Sequence, residues 1–232
     1  MNHGNADNFI YRLKHIIKKN PKLFHILNHT LGTFVGKSAK ASIAHLPKGS
    51  LIVNIGSGAE VIRDDVVNLD CIPYPGVKIV GDANNMPFKD NFVDAVICES
   101  LLEHVLDPKV VLNEVYRVLK PGGMMYLSIP FIIPFHSSPH DYYRWTAAGS
   151  RELLKDFQEQ EFGILNGPTN AMTYVLREWL ALALSFNINT LRQMWILIFM
   201  IIFAPINLLD YVFVHFKGSK DLAHIYYFIV SK

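Results

Sequence analysis

The chain has 232 residues, half of them hydrophobic and 18% charged, which is enough for one sizeable α/β domain and greasy for a surface bathed only in water. Its formal charge of +2 hides an asymmetry: residues 1–40 hold seven Lys/Arg against the single acid Asp7, while the remainder is mildly acidic. A basic arm on an acidic body points to an anionic partner surface, and two cysteines (Cys71, Cys98) are too few for a disulfide framework and suit a reduced, cytoplasmic setting.

The opening MNHGNADN is polar and leads into no apolar signal core, so no secretory signal is expected. From Asn8 to Lys19 the residues Phe9, Ile10, Leu13, Ile16 and Ile17 recur at helical spacing among basic residues, which predicts an amphipathic helix ended by Pro21. A second short helix is expected in PKLFHILNHTLGTFVG, so that residues 1–45 read as a basic amphipathic helical arm. Strands are expected at LIVNI, at VVNLD from Val66, at GVKIV over 76–80 and at FVDAVIC over 92–98. Residues 59–65 leave room for about two helical turns at most between the first two. DPKVVLNEVYRVL over 107–119 predicts an amphipathic helix with Pro108 near its start, stopped by Pro121-Gly122-Gly123 before the strand MMYLSIP. A helix capped by Thr146 should run to Phe157, and HIYYFIV should form the final strand. Strands alternating with helices predict a parallel sheet covered on both faces, with a core of residues 46–166 and 221–232.

The turn NIGSG after the first strand suggests a nucleotide. A dinucleotide fingerprint asks for Gly-x-Gly-x-x-Gly opening a full helix, with an acid about twenty residues on. Val61 occupies the sixth position and Asp70 comes twelve residues after Gly58, which argues against NAD. S-adenosylmethionine suits the pattern better. It has no pyrophosphate to seat on a helix N-terminus, its ribose hydroxyls suit Asp70 at the tip of strand two, and its adenine suits Asp82 beyond strand three.

The runs VVNLD, GDANNMPFKDNFVDAVICESLLEHVLDP and EVYRVLKPGGMMYLSIPF, nearly continuous over residues 51–157, resemble the class I S-adenosylmethionine-dependent methyltransferases. The match is to the branch whose signature reads GDA-x-x-LPF, then LEH, then RVLKPGG. This resemblance implies an α/β, Rossmann-like, doubly wound sheet of seven strands, mostly parallel with an antiparallel last strand. N-terminal helices and a hydrophobic helical insert are added to it here. It further implies that Gly56 and Gly58 let the backbone pass close to the cofactor, and that Asp70 binds the ribose. Asp82 with Ala83 would hold the adenine edge, and Glu99 and Ser100 would line the methionine end. Two positions depart from the family pattern: Asn54 replaces an acid that reaches the cofactor's amino group, and Glu60 replaces the third glycine. Both weaken the expected affinity. A non-catalytic scaffold of the same fold and a nucleotide-dependent oxidoreductase therefore stand as alternatives. Plain roles also exist: a turn for the glycines, a solvated strand end for Asp70, and capping near the sheet edge for Glu103 and His104.

Methyl transfer needs alignment of nucleophile, methyl and sulfur more than acid–base groups. The loop after strand five, PFIIPFHSSPHDYYRW, gathers His136, His140, Asp141, Tyr143 and Arg144 within nine residues. Asp141 and Arg144 are expected to pair and pin the loop. His136, His140 and Tyr143 form the candidate catalytic set, an imidazole being the group that titrates in the useful range. A metal site from His136, His140 and Asp141 is the weakest reading, for want of a further ligand nearby, and no metal is expected.

Residues 167–220 form the hydrophobic insert. The apolar run from Met194 to Ile206 has thirteen residues, about 20 Å of helix against a ~30 Å hydrocarbon core, and contains Pro205. A simple span is not expected. The insert reads instead as lying in one leaflet, with the basic arm as a second weak membrane signal; a homodimer contact or extra core are the alternatives. No recognition module accompanies the arm, so no nucleic acid is expected. The whole reads as S-adenosylmethionine-dependent transfer to a small, lipid- or glycan-linked acceptor at the cytosolic face of a membrane.

Overall fold

The computed structural model describes residues 20, 33–136 and 140–232. The helices expected over 8–19 and 21–36 lie outside these, apart from residues 33–36, which are not helical.

The described chain begins with a one-turn helix, α1 (Ala39–Ser42), and enters the strands β1 (Ile52–Ile55), β2 (Val67–Asp70), β3 (Ile79–Val80) and β4 (Val93–Glu99). Helix α2 (Pro108–Val118), strand β5 (Leu119–Pro130), helix α3 (Ala147–Leu153) and strand β6 (Gln158–Asn166) follow. The insert supplies α4 (Pro168–Ala183), α5 (Asn189–Phe203) and the short α6 (Asp210–Phe213), before β7 (Ile225–Ser231). The strands form one seven-stranded sheet in the order β3-β2-β1-β4-β5-β7-β6. Strands β1 to β5 pair in parallel, and β7 runs antiparallel to both its neighbours. This is the sheet that the resemblance implies.

Alternate residues of each strand face opposite sides, so one apolar run serves two cores. Val53, Ile55, Val96, Cys98, Met125 and Leu127 pack on one face with Val111, Leu112, Val115 and Val118 of α2. Ile52, Ala95, Ile97, Met124 and Tyr126 face the other side, against Ala39 and Ile43. Each fully buried Val or Leu contributes ~1.5–3 kcal/mol, so these two layers dominate the sheet's stability. Both ends of α2 are set locally: the Asp107 side chain accepts from the Lys109 N–H at 3.0 Å, with Pro108 in the first turn.

Three elements differ from expectation. No helix forms between β1 and β2, where Gly56 (φ 62°) and Gly58 (φ 54°) turn the chain in a left-handed conformation that L side chains rarely adopt. Strand β5 begins at Leu119 and carries Lys-Pro-Gly-Gly within it, because Leu119 already pairs with Val93 and an irregularity absorbs the extra residues before Met124 meets Ala95. Helix α3 ends at Leu153, short of Phe157, although its Thr146 cap is in place with Oγ1 accepting from the Gly149 N–H at 3.1 Å.

The insert leaves the sheet where the acceptor loop leaves it. Ile225, at the start of β7, pairs with both Pro130 at the end of β5 and Asn166 at the end of β6. The Phe131 N–H donates to the His224 carbonyl at 2.9 Å, tying the two connections together.

Within the insert the usual sense of burial is reversed. The buried residues of α4 are Thr169, Asn170, Ala171, Thr173, Arg177 and Ala181, and α5 buries Gln193. Exposed on these helices and the turn between them are Trp179 (62%), Phe186 (80%) and Ile201 (67%). Asp210, wholly buried, caps α4 from the far end of the insert, its Oδ1 accepting from the Thr169 N–H at 2.7 Å and its Oδ2 from the Asn170 N–H at 3.0 Å. A Cβ at Gly167 would lie 2.5 Å from the Asp210 carboxyl carbon, so only glycine admits this contact. Among the described residues no single helix is long and apolar enough to cross a membrane, and α5 meets the following Ile206–Phe213 segment at a 45° bend.

Candidate active site

The carboxyl ends of β1, β2 and β4 meet where the strand order reverses, the crevice in which open α/β sheets take ligands. Asp70 ties this crevice together. Its Oδ2 accepts from the Gly58 N–H at 2.7 Å and its Oδ1 from the Ile72 N–H at 2.8 Å, so the carboxylate shapes the glycine turn. The Leu101 side chain covers Gly56, 2.7 Å from where a Cβ would stand. Asp82 is exposed and closes its own turn by accepting from the Asn84 N–H at 2.9 Å, beside buried Ala83. Asn54 is buried inside the sheet, its amide donating to Asn68 Oδ1 at 3.3 Å across the β1–β2 pair. The structure thus brings Gly56, Gly58, Asp70, Glu99 and Ser100 to one strand-end region, whereas the Asn54 side chain is engaged between strands.

Ser100 holds a positive φ of 48° directly after β4, an uncommon backbone state for a residue with a side chain. Burial first, and then the neighbouring Glu60 carboxylate, raise the Glu99 carboxyl to about 7. The residue replacing the family's third glycine therefore adds negative potential beside Glu99. Asn54, standing at the usual acid position, brings none.

The acceptor loop is pinned by its own ion pair. Arg144 donates to both oxygens of Asp141, to Oδ2 at 2.6 Å, and to the carbonyls of Ile133 at 3.0 Å and Pro134 at 3.1 Å. Burial alone would raise the Asp141 carboxyl, but hydrogen bonds from Arg144 and the His136 N–H hold it below its ordinary value. The expected Asp141–Arg144 pair is present. Of the candidate catalytic set, Tyr143 spends its hydroxyl on the Leu106 carbonyl at 2.8 Å, and the His140 ring tilts on Tyr142, 5.5 Å between centroids. His136 alone joins a polar cluster, and the partners there are residues that capping was expected to explain.

Those partners are Glu103 and His104, on a single turn of 3₁₀ helix (Leu102–His104) after β4. Glu103 is wholly buried and neither of its carboxylate oxygens accepts a hydrogen bond. Burial raises its carboxyl to about 8, against a lowering by Arg144. His104 Nε2 and His136 Nε2 face the same oxygen, Oε1, at 3.8 and 3.7 Å. The two rings meet edge to face, with centroids 4.9 Å apart. The signal for this cluster was the LEH motif, which spacing alone could not connect to a loop thirty residues away.

Comparison with known proteins supplies the rest. Residues 60–127 match the family model described as a methyltransferase domain. A demethylmenaquinone methyltransferase of Streptomyces avermitilis is 32% identical over 108 residues, 45% of this chain and 45% of that protein. A tRNA (carboxymethyluridine(34)-5-O)-methyltransferase of Arabidopsis thaliana is 30% identical over 105 residues, 38% of this chain and 26% of its own. The matched stretch spans less than half the length of these curated relatives. Among solved structures, a Haemonchus contortus phosphoethanolamine N-methyltransferase in complex with S-adenosylhomocysteine superposes with a TM-score of 0.52 at 15% identity, over 98% of this chain and 59% of that one. The [4+2]-cyclase SpnF superposes at 0.54 with 14% identity, over 94% of this chain and 95% of that one. At such identities the likeness speaks for the fold alone, and one fold serves more than one chemistry. The fold, the strand-end acids and the matched segment agree: residues 60–127 match a methyltransferase domain, and the chain is similar to the class I S-adenosylmethionine-dependent methyltransferases.

Proposed function

We propose that this chain transfers the methyl group of S-adenosylmethionine to a small, lipid- or glycan-linked acceptor beside a bilayer, with its insert seated in one leaflet. The acids support the cofactor half: Asp70 for the ribose, Asp82 for the adenine edge, Glu99 and Glu60 for the charged methionine end. A cationic sulfonium favours the ionised form of Glu99, which offsets the missing acid at Asn54.

The observation that carries the location is the reversed burial of α4 and α5. A helix in water hides its apolar face, whereas these helices put Thr173, Arg177 and Gln193 inside and Trp179 and Ile201 outside, with Phe186 exposed on the turn between them. That arrangement lowers free energy when the surroundings are hydrocarbon. The fifteen residues of α5 make about 22 Å of helix, short of a ~30 Å core, and the bend at its end suits a return to the same side. Because the insert shares a sheet edge with the acceptor loop, the leaflet would lie next to the reacting groups.

The test is twofold. Calorimetry should show binding of S-adenosylmethionine and S-adenosylhomocysteine without competition from NAD; no heat with either adenosyl ligand would remove the enzyme reading. Flotation with liposomes should carry the full chain upward at low and at high salt. A protein that stays at the bottom, dimeric and soluble without detergent, would assign the apolar surface to a second copy instead.

A further inference from the structure

We propose that Glu103, His104 and His136 form a binding site for a first-row divalent cation, zinc in the first instance. One ligand atom from each lies within 4.8 Å of the others. Two imidazoles and one carboxylate are a donor set that zinc takes in open sites with a further position for water or substrate. In such a site the ligand atoms stand about 3.3 Å apart, because each bond is ~2.0–2.1 Å long and the angles are near tetrahedral. The present 3.8 and 3.7 Å separations from Glu103 Oε1 each need a shift of about half an ångström, and the two imidazole nitrogens, within 4.8 Å of one another, close together on the ion.

The surroundings favour a cation. Glu103 is at 0% exposure with both oxygens unpaired, an arrangement that costs free energy unless a positive partner arrives. The nearby Arg144 charge is already committed to Asp141, both of whose oxygens it contacts. The second nitrogen of the His104 ring is oriented as metal-ligating histidines require. His104 Nδ1 lies 2.6 Å from the His140 carbonyl, which fixes its proton there and turns Nε2 toward Glu103. His136 Nδ1 accepts from an Arg144 nitrogen at 3.3 Å and lies 3.6 Å from Asp141 Oδ2. A cation on His136 Nε2 therefore requires the ring proton to move to Nδ1 and face Asp141, with the guanidinium keeping its carbonyl and carboxylate contacts. The loop alone lacked a further ligand; the turn after β4 brings a buried one. His136 and His104 side chains keep 25% and 11% exposure, so the open coordination position faces outward, where an acceptor oxygen or water would bind.

Full-length protein, stripped with chelator and held in detergent, should bind Zn²⁺ with one strong site per chain, and Co²⁺ should give the visible absorption of a low-symmetry nitrogen–oxygen site. Glu103→Gln and His136→Ala should each weaken that site at least about 100-fold, and Asp141→Asn should weaken it about 10–100-fold. His140→Ala should leave it unchanged, because only the backbone carbonyl of His140 takes part. Glu103→Asp should keep a weaker site, which separates ligand loss from misfolding, and an unchanged circular dichroism spectrum and thermal melt certify each variant as folded. Zinc binding that survives intact in folded Glu103→Gln, or a Co²⁺ spectrum equal in wild type and variant, would overturn the site. Metal binding is read without turnover, so this result and that of the methyltransfer assay stand independently.

Discussion

Two helices of similar length, α2 against the sheet and α5 in the insert, bury opposite kinds of side chain. Helix α2 hides Val111, Leu112, Val115 and Val118 and turns Lys109, Asn113 and Arg117 outward. Helix α5 hides Gln193 and turns Met194, Ile198, Ile201 and Ile202 outward. Composition alone says that both are amphipathic or apolar; only packing says which face looks in. The difference teaches that apolar side chains face inward in one part of the chain and outward in another, and each of the following experiments strains that contrast.

The largest effect is expected from charge placed on the outward face of α5. Ile201→Lys with Ile202→Lys should cost up to about 5 kcal/mol of leaflet affinity and abolish flotation, while circular dichroism and S-adenosylhomocysteine binding persist. If α5 faced water, the same pair would change little, since surface substitutions usually stay within about 0.5 kcal/mol. Val115→Lys on α2 should instead prevent folding, because it buries an unpaired ammonium.

Next is the polar interior of the insert. Asp210→Ala removes an acceptor from the Thr169 and Asn170 N–H groups and from the Asn170 amide at 2.6 Å, and should lower stability by about 3 kcal/mol in a chemical melt. An unchanged melt would mean that the insert unfolds separately from the sheet.

In the sheet half, Asp70→Ala should weaken S-adenosylhomocysteine binding by about 1.5–3 kcal/mol, through the lost ribose contact and a loosened Gly58 turn. Equal affinity in a titration would remove the ribose assignment.

The smallest effect concerns pH. Glu99, raised to about 7 by burial and then by Glu60, is largely protonated below that value in the ligand-free protein and ionised above it. S-adenosylmethionine binds the ionised form better, so its affinity should rise between pH 6 and 8 by up to about tenfold, or about 1.4 kcal/mol. The thioether S-adenosylhomocysteine should show a smaller rise. Glu60→Gln removes a repelling charge, so the midpoint should fall; a midpoint that stays put would free Glu60 from this role.

The sheet was largely legible because its central strands are apolar runs buried on both faces and its helices carry their own start signals, as at Asp107 and Thr146. The start of β5 was not, because Pro121 and Gly122 read as a stop while the pairing of Leu119 with Val93 is set from a distant strand. The strand-end positions of Asp70 and Glu99 were legible from their order along the chain. The engagement of Asn54 with Asn68 and the unpaired state of Glu103 were hidden, since both depend on contacts across the fold. The inversion of the insert was hidden for another reason: the run from Met194 to Phe203 is apolar on nearly every side, so periodicity offers no inner face to choose.

The placing of β7 between β5 and β6 also sets an order of events during synthesis. Translation delivers β5, β6 and the insert helices before the strand that joins the two halves of the sheet edge. Until Ile225–Ser231 emerges, β5 presents an open row of amides and carbonyls, and α5 is already out of the ribosome. A nascent chain whose greasy helices find lipid at that stage is held in place while its sheet waits for the strand. One whose helices stay in water carries two adhesive surfaces at once, and the time between them is the length of chain from α5 to β7.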